Sequence, residues 1–210
     1  MKIGIVDSGI HAEHPHVNGI AGGVAILGDD LVDRIGHGTA VAAVIREKAP
    51  NAELYAVKVF DKTLTANVNA LAEAIRWCAS NGMDLTNLSL GTANPAHEAL
   101  LAGAVRESGL VISAYEWLPG SLPGVIGVKL DWNCPRDECR PEVLATGRTI
   151  YHASGYPRPI PGVPPERNLK GISFAVANVT GLIARRTRVK PSASGEHWGR
   201  SRPPDGRVLL

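Results

Sequence analysis

Three cysteines, Cys78, Cys134 and Cys139, are all that the 210 residues contain. So sparse and odd a set argues against a disulfide-stapled scaffold. Cys134 and Cys139 are near enough to bridge a short loop, but their spacing, with no second pair, is no zinc pattern, and reduced thiols are expected. Long apolar runs are missing as well. No stretch approaches the roughly 18 consecutive apolar residues of a membrane span, so no membrane partner is expected. An excess of one charge is also absent: the formal net charge is +2, which gives no electrostatic reason to expect a nucleic-acid partner. The opening "MKIGIVDSG" shows no basic segment, apolar core or cleavage site of a secretory signal, because an apolar strand starts at its third residue. Together these absences set the cytoplasm as the expected location. No internal repeat is seen.

With 44% hydrophobic and 20% charged residues, the chain has the composition of an ordinary globular protein and the length of about one domain. Short β-branched runs alternate with helical patterns, which predicts an α/β fold, a mostly parallel twisted sheet covered by helices. The strands are predicted at residues 2–6, 22–27, 53–59, 84–90, 109–114 and 124–130, and the helices at 38–48, 66–80, 96–108 and 171–186. In the second helix Val68, Leu71, Ala72, Ile75 and Cys78 share one face before Asn81 and Gly82 stop it. Residues 155–168 form a proline-rich loop. From residue 187 onward Pro, Gly, Ser and Arg replace any hydrophobic period, so a folded domain over 1–186 and a basic tail over 187–210 are expected.

Ligand sites in such sheets lie beyond the carboxyl ends of the strands, and three residues fall at that rim. Asp7 ends the first strand; its plain reading is a turn or cap, yet a carboxylate at a buried strand end calls for a partner. His37 opens a helix between two glycines, where a structural histidine competes with one that a substrate can approach closely. Ser173 opens "GISFAVANVTGLIARR". It reads either as an N-cap or as a nucleophile whose neighbouring free N–H groups face developing negative charge. Taken together, Asp, His and Ser are the set in which imidazole takes the serine proton, carboxylate holds the imidazole, and backbone donors meet an oxyanion.

The blocks "IGIVDSGI", "GHGTAVAAVI" and "GISFAVANVTGLIA", in that order, resemble the three signatures of the subtilisin-like serine proteases. "APNAELYAVKVFD" and "ALAEAIRWCASNGMDLTNLSLGT" resemble the family's connecting blocks, and the likeness covers residues 2 to about 186. It implies a three-layer subtilisin-like fold and a serine endopeptidase with Asp7, His37 and Ser173 as triad. It also implies that Ser89, Leu90 and Gly91 form an edge on which a peptide or protein substrate adds as an extended strand; their plain reading is a strand end and a turn. Triad chemistry needs no cofactor, and none is expected.

The sequence departs from the family where an Asn oxyanion donor is usual. "VISAYEWLPGS" puts Tyr115 or Glu116 there, leaving three candidate sources of the donor: the Tyr115 phenol, Asn133 from another segment, or the Ser173 backbone N–H nearly alone. Glu116 is a poor donor because an ionised carboxylate repels an oxyanion. Ile172, Ala177 and Asn178 also replace the family's usual Thr, Pro and His. The stretch 131–170 is short for the family, and no Asp-rich loop announces a calcium site. Brevity and the missing presequence are reminiscent of small intracellular subtilases that trim a leader, as on the quinohemoprotein amine dehydrogenase small subunit, and imply narrow specificity. A catalytically impaired peptide-binding module and a transpeptidase are the alternatives.

Overall fold

The computed structural model describes residues 1–186, and the predicted tail at 187–210 lies outside them. Among the described residues the centre is an eight-stranded sheet built from β1 (Lys2–Asp7), β2 (Gly22–Ala25), β3 (Glu53–Lys58), β4 (Leu85–Leu88), β5 (Leu110–Ala114), β6 (Val125–Leu130), β7 (Cys139–Val143) and β8 (Thr149–Ala153). Their order is β2-β3-β1-β4-β5-β6-β8-β7. Every pairing is parallel except β7 on β8, which runs antiparallel at the edge.

Strand alternation divides the core into two layers. Ile3 and Ile5 of β1 face α1 (His37–Lys48) and α4 (Ile172–Arg186), through Val41, Ile45, Phe174 and Val176. Val6, of the opposite parity, faces α2 (Val68–Ser80) and α3 (Glu98–Glu107) through Leu71, Ile75 and Leu101. Helices on both faces of a mostly parallel sheet bear out the three-layer expectation. Gly4 has a steric reason: a Cβ there would stand 2.6 Å from Cys78 Sγ, so the absent side chain lets α2 settle on β1.

Boundaries moved by a few residues. The predicted helix at 66–80 starts at Val68 because Asn67 caps it, its side chain accepting from the Ala70 amide at 2.8 Å. Two strands, β7 and β8, arise where none was predicted. Pro141 and a largely exposed "CRPEV" hide β7, but an edge strand tolerates a residue that cannot donate to the ladder.

Candidate active site

Asp7 stands at the carboxyl end of β1, 1% exposed, and its Oδ1 faces His37 Nδ1 at 2.7 Å. The Ser8 amide donates to the same oxygen at 2.8 Å. Binding through Nδ1 turns the other ring nitrogen away from the carboxylate. Burial pulls the imidazole pKa down, but the hydrogen bond and charge of Asp7, joined by the charge of Asp33, outweigh it and hold His37 above its ordinary value.

The glycines around His37 each have a role. Gly36 precedes α1 at φ 90°, in the left-handed region. At Gly38 a Cβ would collide with the Gly9 carbonyl and lie 3.1 Å from Asp7 Cβ, so only glycine lets α1 begin against β1. Asp33 fastens this start, and sequence reasoning missed it. Its Oδ2 accepts from the Thr39 amide at 2.8 Å and the Thr39 hydroxyl at 2.7 Å, and its Oδ1 from the Ile35 and Gly36 amides at 2.9 and 2.7 Å. The Ser8 hydroxyl lies 2.8 Å from Asp33 Oδ1 and accepts from the Gly38 amide at 3.0 Å. The Asp four residues before His37 was the available signal.

The approach to α1 is tied down by a buried cation. Lys58, fully buried at the end of β3, places its ammonium 2.9 Å from Asp61, 3.4 Å from Asp30 and 3.0 Å from the Val32 carbonyl. Arg34 also pairs with Asp30, at 2.6 Å.

Ser173 lies in the first turn of α4, where the N–H groups have no partner within the helix. Its hydroxyl donates to the Ser89 carbonyl at 3.1 Å, and the Ser89 hydroxyl returns a bond to the Ser173 carbonyl at 3.3 Å. Asn87 donates to that Ser89 hydroxyl at 2.9 Å and accepts from Thr180 of α4 at 2.9 Å, locking strand β4 to the serine helix. Phe174, next in the chain, packs on the His37 ring with centroids 5.7 Å apart.

His37, Ser89, Leu90, Gly91 and Ser173 line one cleft of about 460 Å³, whose walls include Phe60, Leu64, Leu71 and Trp117. Residues 89–91 leave the sheet after Leu88. At Gly91 a Cβ would meet the Leu118 carbonyl at 2.6 Å, because Thr92 and Leu118 pair there as an antiparallel bridge.

Neither of the two side chains named as candidate oxyanion donors lines this cleft. Tyr115 lies between Lys129 and Arg148, whose charged groups are 5.2 and 5.3 Å from its ring centroid. Asn133 sits exposed in the turn after β6, its amide donating to Asp131 at 2.9 Å. Glu116 lines a smaller neighbouring cavity of about 220 Å³ together with Ile172 and Trp117.

All three cysteines are unpaired. Burial pushes the Cys78 thiol up to about 12, against a smaller opposing bond from Thr86, which makes it an inert packing group.

Set against known proteins, residues 1–115 match the Subtilase family. That match includes Asp7 and His37 and stops before Ser173. Subtilisin DY of Bacillus licheniformis is 34% identical over 215 residues, covering 88% of this chain and 75% of that protein. Subtilisin E of Bacillus subtilis is 30% identical over 199 residues, covering 87% of this chain and 52% of that protein. Among solved structures, a cold adapted subtilisin-like serine proteinase superposes with a TM-score of 0.65 at 18% identity, covering 89% of this chain and 75% of that one. The prenylagaramide maturation protease PagA does so with a TM-score of 0.64 at 24% identity, covering 89% and 74%. The class these define is the serine protease, an enzyme that hydrolyses peptide bonds. The chain belongs to the subtilase family.

Proposed function

We propose that Asp7, His37 and Ser173 are the catalytic triad of a narrow-specificity endopeptidase that removes a leader segment from a peptide or small protein subunit. The observation that carries the triad is the 2.7 Å bond between His37 Nδ1 and a carboxylate that is 1% exposed, at the rim of the cleft that also holds Ser173. In the resting chain the serine hydroxyl is bonded to Ser89. Attack requires it to rotate toward the free imidazole nitrogen, a tightening that substrate commonly induces.

The proton of Ser173 Oγ passes to His37 as Oγ bonds to the scissile carbonyl carbon. The C–N bond then breaks as His37 returns that proton to the departing amine, and water repeats the cycle on the acyl-enzyme. Asp7 stabilises the imidazolium between these transfers. The Ser173 N–H is the donor available to the oxyanion, since neither Tyr115 nor Asn133 lines the cleft. Substrate lies extended along Ser89, Leu90 and Gly91, with apolar side chains against Phe60, Leu64 and Leu71.

Leader removal is supported by the short stretch between β6 and α4 and by a fold that a maturation protease also uses. Cytoplasmic residence is supported by three unpaired thiols. A fluorophosphonate probe tests the triad. Labelling of the wild type, lost in Ser173→Ala and strongly slowed in His37→Ala, is expected; an unlabelled wild type refutes it. Mass spectrometry of peptides that accumulate in a host carrying Ser173→Ala tests the leader, and product mass separates hydrolysis from peptide ligation.

A further inference from the structure

A second cavity, of about 360 Å³, opens at the carboxyl rim on the other face of the sheet. The cleft already described lies on the α2 side, walled by Val68 and Leu71. The second lies on the α1 side, and its lining includes His11, His14, His16, Asp33, Arg158 and Asn168. It begins close to His37, because Gly36, one residue before it, and Thr39, two residues after it, also line it. The two cavities therefore approach His37 from opposite sides of the sheet.

One strong donor in its lining is left largely unspent. Arg158 gives one guanidinium N–H to the His16 carbonyl at 3.3 Å, and among the described residues no carboxylate pairs with it. His14 accepts the His16 amide on Nδ1 at 3.2 Å, which leaves its proton on Nε2. Burial, then the charges of Arg158 and His14, hold His16 below the ordinary imidazole value against a smaller opposing effect of Glu47, whereas the Arg158 guanidinium keeps its charge throughout. Asp33 is the acid in the lining. Its two oxygens already take the Ser8 hydroxyl, three amides and the Thr39 hydroxyl, and it lies at the positive end of α1.

We propose that this cavity binds the side-chain carboxylate of an Asp or Glu in the substrate, on the opposite side of the scissile bond from the residues paired with Ser89–Gly91. Arg158 is the anchor, since a guanidinium holds a carboxylate through two parallel N–H bonds. The His14 ring offers a further donor at Nε2, and His11 lines the cavity beside it. The site rests on the reading of His37 and Ser173 as the reacting pair, and it makes the enzyme selective for substrates with an acidic residue shortly past the cut.

The test separates binding from catalysis. Rhodamine-labelled, carboxyl-amidated octapeptides of alanine and glutamine carry one aspartate at each position in turn, each with an asparagine twin. Their dissociation constants are measured by fluorescence anisotropy on the full chain carrying Ser173→Ala. Aspartate is expected to bind about tenfold tighter than asparagine at one or two positions, in line with a charge-assisted hydrogen bond. In Ser173→Ala with Arg158→Met the ratio is expected to fall to about one, and Arg158→Lys, which keeps the charge, is expected to retain part of it. Equal binding of the twins at every position overturns the proposal, as does a tenfold ratio that survives Arg158→Met. A collapsed double variant is recognised by loss of binding to both twins, and the Arg158→Lys ratio then decides. Fluorophosphonate labelling of the wild type judges the protease reading separately.

Discussion

Asp33 holds Thr39 by both the amide and the hydroxyl, at 2.8 and 2.7 Å, and so fixes the turn of α1 that presents His37. Burial pushes the Asp33 carboxyl up, but the Thr39 bonds and the Gly36 and Ile35 amides outweigh it and leave its pKa below the usual value. A carboxylate so depressed stabilises the fold above its unfolded pKa, near 3.9, and loses that contribution as pH falls through the folded value. Asp33→Ala is expected to cost about 1–3 kcal/mol by urea denaturation and to slow labelling of Ser173. Its stability deficit should shrink as acid is added.

His37 carries the opposite sign. Its raised pKa adds stability below the unfolded value, near 6.5, which fades as pH rises through the folded one. Because only the neutral imidazole can accept the serine proton, labelling of Ser173 should rise with pH along a curve whose midpoint lies above 6.5. Asp7→Asn should move that midpoint down and lower the plateau by roughly 10³–10⁴. A midpoint unmoved by Asp7→Asn would show that the carboxylate does not govern the ring.

Gly4→Ala sets a methyl 2.6 Å from Cys78 Sγ. The overpacking should cost about 1–3 kcal/mol, and Cys78→Ala in the same chain should restore most of it, although Cys78→Ala alone destabilises. Chemical denaturation of the four proteins checks this, and additive costs would mean that the two sites do not touch.

Glu116 and Ile172 line the same small cavity, one residue from the serine. Glu116→Gln removes a negative charge from the cavity that Ile172, the residue before Ser173, also lines. Turnover on a peptide substrate should rise several-fold, and the gain should shrink in high salt.

The three-layer fold was legible because β1, β3, β5 and β6 carry short apolar, β-branched stretches between turn residues. The edge hairpin of β7 and β8 was not, since Pro141 and exposed polar residues leave no period to read. Asp7, His37 and Ser173 could be singled out because each marks a strand end or a helix start, and the chain then brings the first two into contact. Which way a side chain points after a strand ends is a different matter. Tyr115 follows β5 by one residue, and its direction was settled by the distant Lys129 and Arg148. Asp33 was hidden for a similar reason, because its five donors come from four residues of a loop and a helix start whose shape no local pattern declares.

Lys58 supplies its charge from within the chain. The loop that delivers His37 is pinned by an ammonium that is part of the chain, held between Asp30 and Asp61. A clasp made this way is neither titrated out by a chelator nor diluted with the medium, so the geometry upstream of the histidine travels with the polypeptide itself.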